Sequence, residues 1–237
     1  SLGDTFEKIA GEKAGIIKPG KPVVMGRVPA GGEAVIRNVA EENKSQVISV
    51  QAMFGEAIEN YPETNLFGTF QRWNAATATT TCRLLEDRFP GIVEASESAL
   101  QSVDWPGRWQ KVELPCGRNL ILDATHNPEG SFFLDENLAA LEVELGRKPW
   151  IVAGTLGEFR AQFLMPVAAR HARGLFLLET QQPRTATFED LRKWVPQASN
   201  FPVNNATKET LFPKKQCCTI GEPGDTIVVT GSIYLLG

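Results

Sequence analysis

Residues 120–130 read Leu-Ile-Leu-Asp-Ala-Thr-His-Asn-Pro-Glu-Gly, and this stretch decides the fold. Its opening apolar run predicts a buried strand that Asp123 closes. Asn127 followed by Pro128 predicts a helix start, because Asn caps a helix N-terminus and Pro fits the first helical position. The stretch therefore predicts a strand, a short loop and a helix.

The helix is predicted to continue from Pro128 to Leu145, because leucines recur at a helical period and Gly146 can end it. Asp123 and His126 then lie at the carboxyl end of a strand, beside a helix N-terminus. In an open α/β sheet this crevice binds ligands, and the helix dipole there favours negative charge. The alternative is that Asp123 only caps the turn and that His126 is an ordinary surface residue.

Composition narrows the class of protein. The chain has 237 residues, enough for one large or two modest domains, and its 24 basic and 28 acidic residues are interspersed. No basic stripe is present, so we expect no nucleic-acid partner. The longest apolar runs are too short to cross a bilayer and no secretory signal precedes them, so we expect a soluble, cytoplasmic protein. Four cysteines without metal-ligand spacing are expected to be reduced, and two histidines make a structural zinc site improbable.

The first helix is predicted from Thr5 to Lys18, where Pro-Gly stops it. Lys13 falls on its apolar face, which is formed by Phe6, Ile9, Ala10, Ile16 and Ile17. A lysine held against a core becomes a neutral amine more readily, and a neutral amine can capture carbon dioxide as a carbamate. Carbamate oxygens suit magnesium. The alternative is that Lys13 extends to solvent from the edge of the stripe.

The rest of the first half predicts a small α/β unit followed by helices. Strands at 21–26 and 46–50 with a helix at 31–43 predict a parallel crossover. A long helix is predicted from Thr69 to Phe89, with an inner face of Phe70, Trp73, Thr77, Leu84 and Leu85. Asn74 lies one step from that face, where an Asn is more often solvated or capping than a ligand contact. A short helix is predicted at 92–102.

A domain boundary is predicted at 103–109, where Pro106-Gly107 breaks the structure. We assign residues 1–105 to one domain and 106–237 to a second. The second half alternates, with strands predicted near 110–114, 119–123, 149–153, 174–178 and 226–229, and helices near 128–145, 161–170, 188–195 and 206–214. This order predicts a doubly wound sheet with helices on both faces.

Three common catalytic motifs are missing from the 237 residues. There is no phosphate loop, no dinucleotide fingerprint and no nucleophile elbow. The residue patterns alone therefore predict an α/β protein with a candidate site at the domain junction.

Three motifs together resemble one family. They are the run from Leu2-Gly3-Asp4-Thr5 into Ile9 to Gly20, the stretch from Asp123 to Pro128, and Thr230-Gly231-Ser232-Ile233-Tyr234. These resemble folylpolyglutamate synthase/dihydrofolate synthase of the Mur ligase superfamily. Pro106-Gly107-Arg108 and residues 66–75 support the resemblance more weakly. It implies the remainder of an ATPase central domain followed by a Rossmann-like C-terminal ligase domain, and a C-terminal fragment without the phosphate-loop region.

The resemblance implies an ATP-dependent amide ligase. Such enzymes convert a folate-side carboxylate to an acyl phosphate, which the amino group of glutamate attacks. By position, Lys13 would be a carbamylated lysine that helps hold Mg²⁺, and Asn74 would lie near the adenine. Arg108 would contact phosphate and Asp123 would bind the ribose. His126 and Ser232 would lie near the nucleotide and the incoming glutamate, so Lys13, His126 and Ser232 are the expected catalytic group.

Two positions depart from the family pattern. Phe70 replaces a His, and Gly154 to Arg160 lacks the family's Asp-Lys-Asp, which could mean altered substrate contacts or a degenerate copy. One alternative function is a Mur-type ligase that joins another acid to an amino acid. Another is a non-catalytic nucleotide-binding module. We expect small-molecule partners only, a monomer without membrane association, and no phosphate transfer by this chain alone.

Overall fold

The computed structural model describes residues 5–197, 200–214 and 217–236. The chain separates into two compact units. The N-terminal unit comprises the chain up to Asn65 together with Thr69–Val103, and the C-terminal unit comprises Leu66–Gly68 together with the chain from Asp104. Over the described residues, no helix is long and apolar enough to cross a membrane.

The N-terminal unit is built on two short parallel strands, β1 (Val23–Met25) and β2 (Val47–Ser49). The helix α2 (Ala30–Glu42) connects them, as the predicted crossover requires. The other helices are α1 (Phe6–Ala14), α3 (Val50–Phe54), α4 (Thr69–Leu85) and α5 (Ile92–Ala99), with a single 3₁₀ turn at Ile58–Asn60.

The predicted inner face of α1 is confirmed at Ala10 and at Ile17, which lies just beyond the helix, but not at Phe6 and Ile16. The helix ends at Ala14, and its buried residues are Ala10 and Ala14. Ala10 faces Gly32 of α2, so small side chains let the two helices approach closely. Phe6 and Ile16 are instead 59% and 79% exposed, and Lys13 in the last turn is exposed as well. The lysine therefore does not press against the core.

The predicted inner face of α4 is partly confirmed, because Trp73 packs against the cluster that contains Val50 and Tyr61, but its most buried residues are others. Small and polar residues are buried there, namely Gln71, Ala75, Ala76, Thr79 and Thr80. The Thr79 hydroxyl donates to the carbonyl of Ala75 at 2.9 Å, so its polar group is satisfied within the helix. Leu84 is 41% exposed, because close packing of the small face turns the larger side chains outward.

The C-terminal unit contains a six-stranded sheet in the order β3-β4-β8-β5-β6-β7. Only β3 is antiparallel to its neighbour. The strands are β3 (Gln110–Glu113), β4 (Asn119–Asp123), β5 (Trp150–Ala153), β6 (Gly174–Leu178), β7 (Val203–Ala206) and β8 (Thr226–Thr230). The sequence patterns predict all of these except the edge strand β7, whose Val-Asn-Asn-Ala sequence lacks an apolar alternation.

Two apolar clusters cover the two faces of this sheet. One contains Ile151 and Leu175 and is closed by the helices α6 (Pro128–Leu145), α7 (Glu158–His171) and α8 (Phe188–Lys193). The other contains Val152 and Ile227 and is closed by the short helices α9 (Lys208–Leu211) and α10 (Ile233–Leu236). Helices therefore lie on both faces as predicted, but only one face carries long ones.

Candidate functional site

Three neighbouring strands of the sheet end at one edge. Thr230, the last residue of β8, is paired with Asp123 of β4 on one side and with Ala153 of β5 on the other. The chain then leaves β4 and β5 towards the face covered by α6 and α7, and leaves β8 towards the opposite face through α10. Because the exits diverge, a crevice opens at this carboxyl edge.

Two glycines allow the strand ends to come together. Gly231 has a φ of +110°, and a Cβ there would lie 2.3 Å from the carbonyl oxygen of Gly154. A Cβ on Gly154 would lie 1.9 Å from the carbonyl oxygen of Leu178. Side chains at either position would force the loops apart, so both glycines fix the floor of the crevice.

The crevice holds a pocket of about 300 Å³. It brings together three of the residues singled out from the sequence, Arg108, His126 and Ser232, and Ala124 beside Asp123 also lines it. The other lining residues are Trp105, Pro106, Leu156, Arg160, Arg184, Ile233 and Tyr234. All belong to the C-terminal unit, so the pocket does not depend on the other unit.

Positive charge dominates the pocket. Its lining includes the guanidinium groups of Arg108, Arg160 and Arg184 and no carboxylate. In the part of the chain that the structure describes, none of these three groups forms an ion pair. Three guanidinium groups without a close ion pair, placed around a small pocket, are suited to an anion, since each can donate two parallel hydrogen bonds to phosphate or carboxylate.

Asp123 is buried at the end of β4. Its Oδ1 accepts hydrogen bonds from the backbone N–H of Thr125, at 3.0 Å, and from the Thr125 hydroxyl. Burial raises the pKa of the Asp123 carboxyl, and the Thr125 hydrogen bonds and the charge of Arg108 only partly oppose this. The Asp123 carboxyl, to which the Trp109 backbone N–H also donates, offers oxygen atoms to a ligand's hydroxyl group at this edge.

His126 is exposed, and its Nδ1 lies 2.8 Å from the carbonyl oxygen of Ala124. A carbonyl can only accept, so Nδ1 must be the protonated nitrogen. In the neutral ring Nε2 is then the acceptor, and it is the atom that could take a proton from a ligand.

Ser232 is buried just before α10, and its Oγ accepts from the backbone N–H of Tyr234 at 3.3 Å. Because a hydroxyl both donates and accepts, this contact leaves the Ser232 proton for a ligand in the pocket. Thr155 and Thr230, at the ends of neighbouring strands, are fully buried, and among the described residues their hydroxyl groups have no partner. Such groups are costly, which is typical of a ligand-binding edge.

Two predicted site residues, Lys13 and Asn74, belong to the N-terminal unit. Asn74 is exposed on α4 and donates to the side-chain oxygen of Gln71 at 3.0 Å. Across residues 5–197, 200–214 and 217–236, no three His, Cys, Asp or Glu side chains converge on one point. These side chains do not form a complete magnesium site, and a carbamate on Lys13 would be a single ligand.

The chain is similar to several known proteins. No family model matches the chain. The dihydrofolate synthase/folylpolyglutamate synthase of Bacillus subtilis is 36% identical over 160 residues, which is 58% of this chain and 36% of the relative. The bifunctional folylpolyglutamate synthase/dihydrofolate synthase of Yersinia pestis, complexed with AMPPNP and Mn ion, is 26% identical with a TM-score of 0.72. It matches over 100% of this chain and 56% of its own.

The chain is related to the folylpolyglutamate synthase/dihydrofolate synthase family. This confirms the resemblance carried by the three sequence motifs, and with it a Mur-ligase-type α/β fold. A further structure of such a bifunctional enzyme, with Mn, AMPPNP and L-glutamate bound, is 25% identical with a TM-score of 0.73 over 100% of this chain. The chain spans between 36% and 56% of the length of these proteins.

The segment from Gly154 to Arg160, which departs from the family pattern, contributes to the pocket. It lacks the family's Asp-Lys-Asp, but it places Leu156 and Arg160 in the pocket. Sequence reasoning noted the departure without assigning Arg160 to the site. Its position just after a central strand was the available signal, because loops at the carboxyl edge carry the ligand contacts. Arg184 gave no such signal, since it follows β6 by several residues and reaches the edge through the pairing of Leu156 with Thr185.

Proposed function

We propose that the protein to which this chain belongs is an ATP-dependent ligase that joins L-glutamate to a folate through an acyl phosphate. The observation that carries the proposal is the pocket at the carboxyl edge, with three unpaired guanidinium groups beside a buried carboxyl. ATP, an acyl phosphate and glutamate are all anionic, and this pocket offers donors for anions together with one buried acceptor for a hydroxyl.

Arg108 is assigned to the phosphate. It is half-buried in the Pro106-Gly107-Arg108 turn, which is held to β4 by the Ala124 amide donating to Gly107 at 2.8 Å. The turn places the guanidinium beside the Trp105 ring, where it can neutralise charge that develops on a transferring phosphoryl group. We assign Asp123 to the ribose hydroxyls. It follows Arg108 by 15 positions and lies at the same carboxyl edge of the sheet.

Glutamate carries two carboxylates besides the reacting amine. We assign Arg160 and Arg184 to these carboxylates, with Ser232 donating a further hydrogen bond. His126 Nε2 is the acceptor that can remove a proton from the ammonium group, which must become a neutral amine before it attacks the acyl phosphate carbonyl. The new C–N bond forms as the C–O bond to phosphate breaks, and phosphate leaves.

Two residues of the N-terminal unit are also assigned roles. The exposed amide of Asn74 is proposed to lie near the adenine, and Lys13 is proposed to be carbamylated and to supply one ligand to Mg²⁺. The Lys13 proposal rests on the family resemblance, since its side chain is exposed rather than buried. Residues 1–105 are proposed to be part of an ATP-binding domain and residues 106–237 a ligase domain, in a monomeric cytoplasmic enzyme.

The test measures ADP release by the protein encoded by the complete gene. Dihydropteroate, tetrahydrofolate and unrelated carboxylic acids are each combined with glutamate, aspartate or alanine. We expect turnover only with a folate-type acid and glutamate. Turnover with another acid would identify a different Mur-type ligase. Nucleotide binding without turnover on any pair would contradict a catalytic role.

The 237-residue chain is assayed in parallel. It contains no phosphate loop, so it lacks the cradle of backbone amides and the lysine that hold a triphosphate. We expect its rate to be lower by roughly five powers of ten or more. Robust turnover by this chain, after a check for contaminating enzyme, would refute that expectation.

A further inference from the structure

A second cluster of reactive groups lies at the opposite edge of the six-stranded sheet. Cys116 is in the turn that connects β3 to β4, and Cys217 and Cys218 lie in the segment before β8. Cys116 packs against an apolar cluster to which Cys218 belongs. Thiols about 100 positions apart in the sequence are therefore neighbours in the fold.

The two segments are held together by several polar contacts. The Arg118 guanidinium donates to the carbonyl oxygens of Ile220, at 2.8 Å, and Gly221, at 2.6 Å. The Gly224 amide donates to the carbonyl of Gly117 at 2.7 Å. These contacts are made by the two residues that follow Cys116, so they hold this turn against the segment from Ile220 to Gly224 before any oxidation.

The sulfur atoms differ in their surroundings. Cys116 is half-buried, and its Sγ accepts hydrogen bonds from the Cys218 backbone N–H and from Arg118. The Cys218 hydrogen bond lowers the pKa of the Cys116 thiol, which burial opposes and Arg118 reinforces. Burial raises the pKa of the Cys218 thiol more than the Ile220 amide lowers it. Cys116 is thus a half-buried thiol with a lowered pKa, and Cys218 is a buried thiol with a raised pKa beside it.

We propose that Cys116 is an oxidative modification site that reacts with a hydroperoxide and is then resolved by Cys218 as a disulfide. In the first step the Cys116 thiolate attacks a peroxide oxygen, the O–O bond breaks, and hydroxide leaves to become water. In the second step the Cys218 sulfur attacks the Cys116 sulfenic acid, the S–O bond breaks, and the Cys218 proton departs with the oxygen as water.

The bond would join two segments that the fold already holds together, since Cys116 packs against the apolar cluster that contains Cys218. The bond would close a loop of about 100 residues that contains β4, β5, β6 and β7. Closing so long a loop restricts the unfolded chain, so the oxidised form is expected to be the more stable one.

The first experiment uses the unmodified chain. At neutral pH, iodoacetamide should alkylate Cys116 about five- to tenfold faster than Cys82, which is also half-buried. A few equivalents of hydrogen peroxide should then remove two hydrogens per chain, and peptide mapping should find Cys116 joined to Cys218. The melting temperature should rise by about 5–10 °C and return with dithiothreitol.

Three variants complete the test. Cys116→Ser should abolish the disulfide, and Cys218→Ser should leave a Cys116 sulfenic acid that dimedone captures. Cys217→Ser is the matched control and should keep both the disulfide and its rate. A Cys116–Cys217 disulfide, or equal reactivity of Cys116 and Cys82 in the unmodified chain, would overturn the proposal even if a variant failed to fold.

Discussion

Asp123 and Asp225 are buried carboxyls at opposite ends of the neighbouring strands β4 and β8. Asp225 at the amino edge is surrounded by donors: the Glu222 amide at 2.9 Å, the Trp150 indole at 3.1 Å and the Arg147 guanidinium at 2.9 Å. Asp123 accepts hydrogen bonds from Thr125, and the Trp109 backbone N–H and the charge of Arg108 act on its carboxyl more weakly. Their pKa values accordingly move in opposite directions.

For Asp225, burial raises the pKa, but the hydrogen bonds from Glu222 and Trp150 and the charges of Arg147 and Arg173 outweigh it and leave the pKa lowered. For Asp123, burial prevails. The arginines show the same contrast, because Arg147 and Arg173 are paired with Asp225 whereas Arg108 at the carboxyl edge is not paired with a carboxylate among the described residues. Arg147 and Arg173 therefore stabilise the fold through Asp225, whereas Arg108 keeps its hydrogen-bond donors for a ligand.

The largest effect is expected on catalytic activity, from a substitution of Arg108 at the carboxyl edge. If the protein is the ligase proposed above, Arg108→Ala should lower kcat/KM about 10²- to 10³-fold, because a positive charge on the phosphate is lost. Its stability should change by only about 1 kcal/mol, since no close ion pair is broken and the losses are the Trp105 ring contact and the longer-range charge interaction with Asp123. Arg147→Ala is the matched control at the amino edge and should do the reverse. Equal losses of activity in the two variants would show that the edges do not differ in this way.

Asp225→Ala should cause the next largest effect. Removing this carboxylate leaves the Trp150 and Glu222 donors and two arginines without their acceptor, which should cost about 2–4 kcal/mol of unfolding free energy. The value is measured by urea unfolding, with hydrogen exchange in β8 assigning the loss to the C-terminal unit.

The pH dependence of the stability loss in Asp225→Ala tests whether the loss comes from the charge of Asp225. Its folded pKa is lowered, so its contribution is fully present above the unfolded value of about 3.9 and is lost as pH falls through the folded pKa. The difference between the original chain and Asp225→Ala should therefore shrink in acid. A difference that stayed constant from pH 7 to pH 3 would mean that packing, rather than charge, explains it.

The contrast between the edges also shows what could be predicted from the sequence. The end of β4 and the start of α6 were predictable because their signals are local: Asn127 Oδ1 accepts the Gly130 amide at 2.6 Å, and Gly146 ends the helix with a φ of +65°. The family motifs at Arg108, His126 and Ser232 are local as well, and these three residues line one pocket.

Features that depend on distant packing could not be predicted in this way. The inner faces of α1 and α4 are made of small residues, and a count of large apolar side chains overlooks them. The pairing of Cys116 with Cys218 and the entry of Arg184 into the pocket need the folded sheet, since no spacing in the sequence relates them. The domain assignments and the roles of Lys13 and Asn74 stay predictions.

A smaller effect is expected from His171, which ends α7 near the amino edge. Its Nδ1 lies 2.6 Å from Glu142 and its Nε2 lies 2.8 Å from Asp135, so the ring connects α7 to α6. His171→Gln should cost about 1–2 kcal/mol in urea unfolding, because one of two contacts to carboxylates is lost from a buried position. Nucleotide affinity should not change. A parallel loss of affinity would place His171 in the ligand site instead.

The smallest effect on stability, and the one opposite in sign, is expected from Asp123→Asn. The amide keeps the Oδ1 that accepts from Thr125 but cannot ionise, so it avoids the cost of a buried charge. The folded pKa of Asp123 is raised, so the folded chain binds this proton more tightly than the unfolded chain does, and stability falls as pH rises from about 3.9 through the folded pKa. The Asn variant lacks this loss. The thermal stabilities of the original chain and the variant should therefore agree near pH 4, and the variant should be more stable by up to about 1 kcal/mol near pH 8. The affinity of the variant for ADP should fall, because a ribose hydroxyl meets a weaker acceptor. Asp225→Asn, measured over the same pH range, should be less stable near pH 8; if both substitutions moved stability in the same direction, the two carboxyls would not differ in the way proposed.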